Sequence, residues 1–506
     1  MYTTKFKLNL IIYGALLQIM FPVLSYAQKI TKIDLDNADR LEYDKNIGEN
    51  VKRLIGNVIL HHEGTYLYCD SAYLYSETNS VDAFSNVSIK SGTVHIVGDV
   101  LYYNGNTKDA ELDKNVKMTD EKMELETEHL TYNTKTKIAN YLTGGKLKDA
   151  ENVLTSKIGY YYAETKEVYF KKEVVLVNPE YTMNSDTLKY NTKTEIAYFF
   201  GPTYIVSKEN TIYCENGWYN TQKDIAQFNE NAYFSNKEQK INGDSLYYDR
   251  KILFGKAYNN ITIVDTTQEI TIKGHYAEYY EKEGKTMVTN EALVIHNMDG
   301  DSLFLHADTL KAFFDSTGGG KVLYGYNHAK FFKSDIQGLG DSIVYSFTDS
   351  VIYMYSNPIL WSEENQITAD TIHIFLKNNE LYRMNLYSSS FIVSKEDSVK
   401  FNQIKGKFVI GHFLENELRK INVYQNSETI YYVRDESKGL IGINKAIADD
   451  MLIFVDNSKV KTITFLTNPE ATLYPEKDLA PAEVKLKGFK WDEFKRPLDK
   501  EGVFNW

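Results

Sequence analysis

The chain has 506 residues, and its 57 basic against 69 acidic side chains leave a net charge of −12. That balance argues against a nucleic-acid backbone as the main partner, because binding one takes a surplus of Lys and Arg. It leaves a lipid open, since acyl chains are held by apolar burial. The 40 tyrosines and only 8 prolines suit a long β structure, as aromatic side chains favour strands and proline removes a ladder donor.

The first 27 residues predict a cleaved secretory signal. Lys5 and Lys7 precede a largely apolar run from Leu8 to Leu24, and Ser25-Tyr26-Ala27 places small residues at the −3 and −1 positions before Gln28. An uncleaved anchor is the alternative, which the small-residue ending disfavours. No later apolar stretch approaches the ~20 residues that span a bilayer, so the exported chain is expected to be soluble or peripherally attached.

A repeat begins at Asp39. An acidic residue recurs with an aromatic four positions later: Asp99/Tyr103, Glu128/Tyr132, Asp186/Tyr190, Glu215/Tyr219 and Asp244/Tyr248, with neighbouring units 29 residues apart. Asp70/Leu74 and Lys157/Tyr161 hold the same register, and looser copies follow to Asp370/Ile374, giving twelve. Such a period implies a quasi-linear stack in which each unit buries its core only against its neighbours. It predicts an extended surface or groove more readily than a single catalytic pocket.

Within a unit, an apolar column lies three residues before the acid (Leu67, Ile96, Leu125, Met183) and a small column one residue before it (Cys69, Gly98, Ser185, Gly243). Leu and Tyr follow at +2 and +4. The parity of burial changes at the acid, so a bend or bulge is expected there. A polar turn such as Asn104-Gly105-Asn106 leads to a second strand, which the pattern ends in a turn at +16, often Asn. A third apolar pair then occupies +17 and +19. The prediction is three short strands per unit around a bent sheet. The lipid-groove candidates on its inward columns are Val58, Val87, Ile89, Val116, Met118, Val174, Leu176, Ile205, Phe234, Ile261, Ile263 and Val294. Sequence alone leaves this lining either a sealed core or an open trough.

Cys69 and Cys214 occupy the small column five units apart. At ~4.8 Å per rung they would stand at least ~24 Å apart, beyond the ~7 Å reach of a disulfide, so two buried, unpaired thiols are expected. Gly318-Gly319-Gly320-Lys321 lacks the spacing of a phosphate loop and reads as a flexible turn lengthening one repeat. Four of the 8 prolines fall at Pro469, Pro475, Pro481 and Pro497. Glu428–Val433 reads as strand, Ile441–Ile447 as a turn entering a short helix, and the aromatic tail around Lys487–Trp491 as either a cap or a docking segment. The predicted organisation is therefore a signal over 1–27, a β repeat array over 28–400 and a carboxy-terminal region over 401–506.

Stacked carboxylates invite a metal ladder, but the column drifts to Lys157 and His275, which a metal ladder would not tolerate. Capping of backbone amides at the bend is the simpler reading. The histidines show no metal-ligand spacing beyond the adjacent pair His61-His62. No nucleophile has an identifiable base, so neither enzymatic activity, a metal nor a cofactor is expected. The tyrosines at fixed positions read as packing ladders.

The segment Leu54-Ile55-Gly56-Asn57-Val58-Ile59-Leu60, followed by Leu67-Tyr68-Cys69-Asp70-Ser71-Ala72, resembles the OstA-like proteins, the group that includes LptA and the amino-terminal domain of LptD. The pattern recurs in Val97-Gly98-Asp99-Val100-Leu101-Tyr102-Tyr103 and in Ile241-Asn242-Gly243-Asp244-Ser245-Leu246-Tyr247-Tyr248. Phe401–Gly406 and Gly488-Phe489-Lys490-Trp491 are similar to the longer OstA-like proteins of Bacteroidetes. The resemblance implies an all-β, elongated jellyroll folded like a taco, built from about twelve units of 29–33 residues and ended by a carboxy-terminal cap. It also implies a periplasmic protein that shields the acyl chains of lipopolysaccharide on the way to the outer membrane. Its implied partners are other lipopolysaccharide transport proteins, further copies of itself and the membrane periphery. The competing expectation is a structural or adhesive β-solenoid with a sealed core that meets protein partners through its outer face. A polysaccharide-active β-helix is a third, lacking the cluster of unlike polar residues it would need.

Overall fold

The structure, a computed structural model, describes residues 31–43, 48, 50–121, 123–148, 152–267, 269–298, 300–314, 321–378, 380–415, 417–437, 439–456 and 459–506. The signal segment 1–27 and the glycines 318–320 lie outside the described residues. Among the described residues there are 36 β-strands, four short 3-10 segments and no α-helix. The chain divides into two units, one running to Leu112 and taking in Asn133–Lys135, the other formed by Asp113–Tyr132 and Thr136–Trp506.

Most of the repeats are two long strands, not three short ones. In the first unit Val51–His62, Thr65–Tyr75, Ser80–Ser91 and Val94–Asn104 form an antiparallel meander in sequence order. The expected turn at +16 is there a bulge inside a continuous strand, whereas the strand does break at that position between Tyr141 and Gly145, between Thr289 and Leu293 and, at Asn357, between Tyr355 and Ile359. Ser85 and Asn86 take φ of 62° and 50°, and the register with the preceding strand slips between Tyr68 and Ser71. The same pair recurs in the second unit at Lys114-Asn115, Lys172-Glu173, Glu230-Asn231 and Asn259-Asn260, with Gly201 alone in the repeat between the second and third of these. Two consecutive left-handed residues re-aim a strand without ending it, and asparagine tolerates that conformation best among side chains with a Cβ. This is why a turn-like residue stands in mid-strand.

The acidic column stitches this bulge. Asp70 accepts from Ser85 Oγ at 2.6 Å and Asn86 Nδ2 at 2.7 Å. Glu215 accepts from Asn231 Nδ2 at 2.9 Å, and Asp244 from Asn260 Nδ2 at 2.9 Å. These partners are side chains across the strand pair, where backbone amides of the bend were expected. Where the acid becomes Lys157, its partner is Glu173, and where it becomes His275, the partner is Glu291 at 3.4 Å. The sign of the partner changes with the sign of the column, so the pairing survives the drift.

The apolar columns face inward. In the first unit Leu54, Leu60, Leu67, Ile89, Ile96 and Leu101 are fully buried. One edge of that core is closed by a polar cluster, in which Tyr103 Oη lies 2.7 Å from His62 Nδ1 and Lys108 pairs with Glu63 at 2.9 Å. Burial holds the His62 imidazole below its ordinary pKa. In the second unit Tyr161 and Lys166 both bond the buried carboxylate of Asp120. Cys69 and Cys214 are free and buried, as expected, and burial pushes both thiols up to about 12.

Tyr141 shows how tightly the second unit packs. Its strand Ile138–Tyr141 breaks before Gly145–Lys148, and the ring lies over Gly145 and Gly159 with its hydroxyl 2.7 Å from Ser156 Oγ. A Cβ on Gly159 would stand 2.3 Å from a ring carbon.

Strands continue through the carboxy-terminal region to Glu470–Tyr474. Ile441–Ile447, expected to enter a helix, lies in the 17-residue strand Leu440–Asp456. Its glycine was misleading: Gly442 is a packing position, where a Cβ would stand 2.7 Å from the carbonyl oxygen of Tyr474 on the paired strand. From Tyr474 the tail runs back over earlier repeats, held by buried glutamines. Gln403 donates to the Val484 carbonyl and accepts from the Leu486 amide, each at 2.9 Å. Gln366 donates to the Lys490 carbonyl at 2.9 Å and accepts from the Asp492 amide at 2.7 Å. Gln337 accepts from Arg496 Nε at 2.7 Å. All three lie four residues before their unit's anchor position (Asp341, Asp370 and Lys407), a column that the sequence reading did not tabulate.

Two outcomes follow from this packing. Gly159→Ala is expected to destabilise the protein by ~1–3 kcal/mol through overpacking, with part of the loss recovered when Tyr141→Leu is added, as read from urea midpoints. Gln366→Leu with Gln403→Leu is expected to release the tail, so that limited trypsin cuts at Lys485, Lys487 and Lys490 well before the repeats; an unchanged cleavage order would show that the glutamines do not hold it.

Candidate functional site

Between Tyr181 and Thr286 the interior of the second unit opens into a cleft of about 760 Å³. Both halves of the acid-bearing strands, which pair with the bulged ones, line it. Met183, Ile212, Ile241 and Ile272 come from the segments before the acid, and Tyr219, Leu246, Tyr248 and Ala277 from the segments after it. The bulge therefore folds the two halves of each strand to face one another across the cleft.

The cleft lies where a short run of aromatic rings ends, although Ala83 holds the same column position in the packed interior of the first unit. Thirteen residues after the anchor, successive units place Phe170, Phe199 and Phe228 in the interior, and the rings of Phe199 and Phe228 stack with an interplanar angle of 5°. The next member is Ala257, with Gly255 and Ala277 close by in the lining. Loss of an aromatic ring in a close-packed interior leaves space that neighbouring side chains do not recover. Beyond, Tyr345 and Phe347 pack at 4.1 Å with His296 alongside, and Phe347 lines the cleft's far end.

The rim is charged while the walls are apolar. Tyr219 donates to Asp224 at 2.7 Å and Tyr248 to Glu281 at 2.6 Å, so each ring lines the cleft and each hydroxyl reaches its edge. Burial, and next the neighbouring carboxylate, raises both phenols above their ordinary pKa, which keeps them as donors. Arg250 bridges to Glu180 at 2.7 Å and Lys321 lies 3.8 Å from Asp265, all four lining the cleft. An apolar trough with an ionic rim of both signs matches an amphiphile in its chemistry.

Of the groove candidates, Ile205, Phe234 and Ile263 line this cleft. Val294 lines a small hollow beside it with Leu305, Leu323 and Phe331. Val58, Val87, Ile89, Val116, Met118, Val174 and Ile261 are buried in packed interior, and Leu176 is half-buried outside the cleft's lining. The Leu/Tyr pairs were also expected to line the groove, and Leu246 and Tyr248 do. The sequence reading missed Ile212, Ile241 and Ala257 as cleft residues.

The OstA-like protein family matches residues 30–186 and 182–244. No curated protein matches the chain. Among solved structures, the chain is similar to LptH of Pseudomonas aeruginosa, described as the LptA-homologous periplasmic component of a conserved lipopolysaccharide transport device, with 18% identity over 21% of this chain and 76% of that one and a TM-score of 0.19.

Ala257→Phe extends the ring ladder through the opening. It is expected to leave the thermal midpoint unchanged or raised and to weaken uptake of an apolar fluorophore at least ~10-fold, the loss of most of one side chain's worth of burial. Undiminished uptake would show that the cleft is not the binding space.

Proposed function

We propose, for a chain that is OstA-like over residues 30–244, that it is an exported carrier of lipopolysaccharide or a related lipid and shields acyl chains in the cleft of its second unit for delivery to the outer membrane. The cleft carries this reading: an interior otherwise filled by its own side chains opens to about 760 Å³, within the ~300–1,000 Å³ of ligand sites. Its lining needs no chemistry to act. Each methylene buried there contributes ~0.8 kcal/mol, and the isoleucine column lets a chain slide without breaking a directed bond. The reading includes export through the amino-terminal signal, a periplasmic location and transfer partners of the same transport system. It treats the protein as a carrier, not an enzyme. Ile205, Phe234 and Ile263 are the groove candidates that would touch the lipid.

Mass spectrometry of lipid extracted from natively purified protein is expected to find an acylated lipid, depleted in Ile263→Glu. A photo-crosslinker at Ile205, Phe234 or Ile263 is expected to capture lipid, and one at the buried Ile89 is not. Crosslinks to proteins alone, with no lipid extracted, would sink the carrier reading and favour an adhesive β-solenoid.

A further inference from the structure

The tail divides its apolar side chains between two faces. Phe489 and Trp491 turn inward onto Phe401, at 5.3 and 5.2 Å between ring centroids. Phe494 and Leu498 turn outward, each 82% exposed, while Trp506, 62% exposed, rests one side of its ring on His328 at 4.8 Å between centroids. This is not a loose end. Between the outward residues, Arg496 is pinned to Gln337 Oε1 at 2.7 Å and to the Glu363 carbonyl at 2.8 Å. The buried Lys330 amine bonds the carbonyls of Lys495 and Asn505. The backbone is fixed, so the outward side chains cannot fold back under it.

We propose that the outward face of residues 494–506 docks on an anionic lipid surface. Large apolar side chains held in water on a rigid support mark an interaction site. Here the charge around them selects its partner: within 494–506 Lys495, Arg496 and Lys500 stand against Asp499 and Glu501, in a chain of net −12. Lys495 lies over the ring of Phe494, 5.6 Å from its centroid. Aromatic rings with lysines beside them suit the headgroup boundary, where the ring enters and the amine meets phosphate. The remainder of the chain, being acidic, is repelled by the same surface, and this orients the molecule tail-first. The strand Lys321–Phe332 carries Lys330, which holds the tail, and also Val322 and Leu323, which line the cleft. Docking would thus bring one end of the cleft to the membrane.

The test is flotation of the full exported chain with vesicles of phosphatidylglycerol and phosphatidylethanolamine, against vesicles of phosphatidylcholine alone. The chain is expected to float with the anionic vesicles and to be released by about 0.5 M salt. Phe494→Ser with Leu498→Ser is expected to lower partition at least ~10-fold at an unchanged thermal midpoint, two exposed apolar side chains having lost their burial. Tryptophan emission should shift to the blue on binding, and Trp506→Phe should remove the shift. Ala257→Phe should float like the parent, which separates this proposal from the carrier reading. Equal flotation of the double variant and the parent would overturn the proposal. So would no flotation of the parent, or a double variant that floats normally but loses a co-purifying protein.

Discussion

Two consecutive residues in left-handed backbone, repeated in alternate strands, are the constraint from which the remaining architecture follows. They add one residue to the bulged strand opposite the acid of its neighbour. The acid-bearing strand changes its inward parity there, from Leu67 and Cys69 to Ala72 and Leu74, and apolar residues on both sides of the bend reach the same interior. The acidic column holds this geometry in place. Its pairing with the bulge explains both its prevalence and its exceptions, since at Lys157 and His275 the carboxylate comes from the other strand, as Glu173 and Glu291.

Much of this was legible from sequence. The 29-residue interval, the inward columns and the unpaired cysteines are direct consequences of period and parity, which sequence displays. The bulge was misread as a turn because asparagine signals positive φ without saying whether the chain reverses afterwards. Ile441–Ile447 was misread as a helix entry because Gly442 yields to the carbonyl of Tyr474, 32 positions away in neither period nor pattern. The cleft was hidden for a different reason. It depends on a side chain smaller than its three predecessors, Phe170, Phe199 and Phe228, and a search for recurring residues passes over such a change of size.

The same repeat thus supports two interiors. Where the column carries Phe170, Phe199 and Phe228, rings fill the space between the walls; where it carries Ala257, the backbone continues unchanged and the space is free. The walls owe their shape to the bulge and not to the filling, so the interior can be emptied locally without loss of the sheet. The tyrosines at the cleft's edge then serve as its apolar wall, and their hydroxyls keep their carboxylate partners at the rim.

The returning tail changes how such a stack comes apart. Neighbour-to-neighbour contacts alone let repeats fray from an end one at a time. The bonds from Lys330 to Asn505, Gln366 to Asp492 and Gln403 to Leu486 span 175, 126 and 83 positions, and they tie the strands between them to a single strap. Those strands cannot separate independently while it is in place. The strap lies carboxy-terminal to every strand it holds. Those strands therefore reach their full cooperativity only after residues 484–505 have been made, and a chain cut short before Val484 would keep its repeats and lose their common fate.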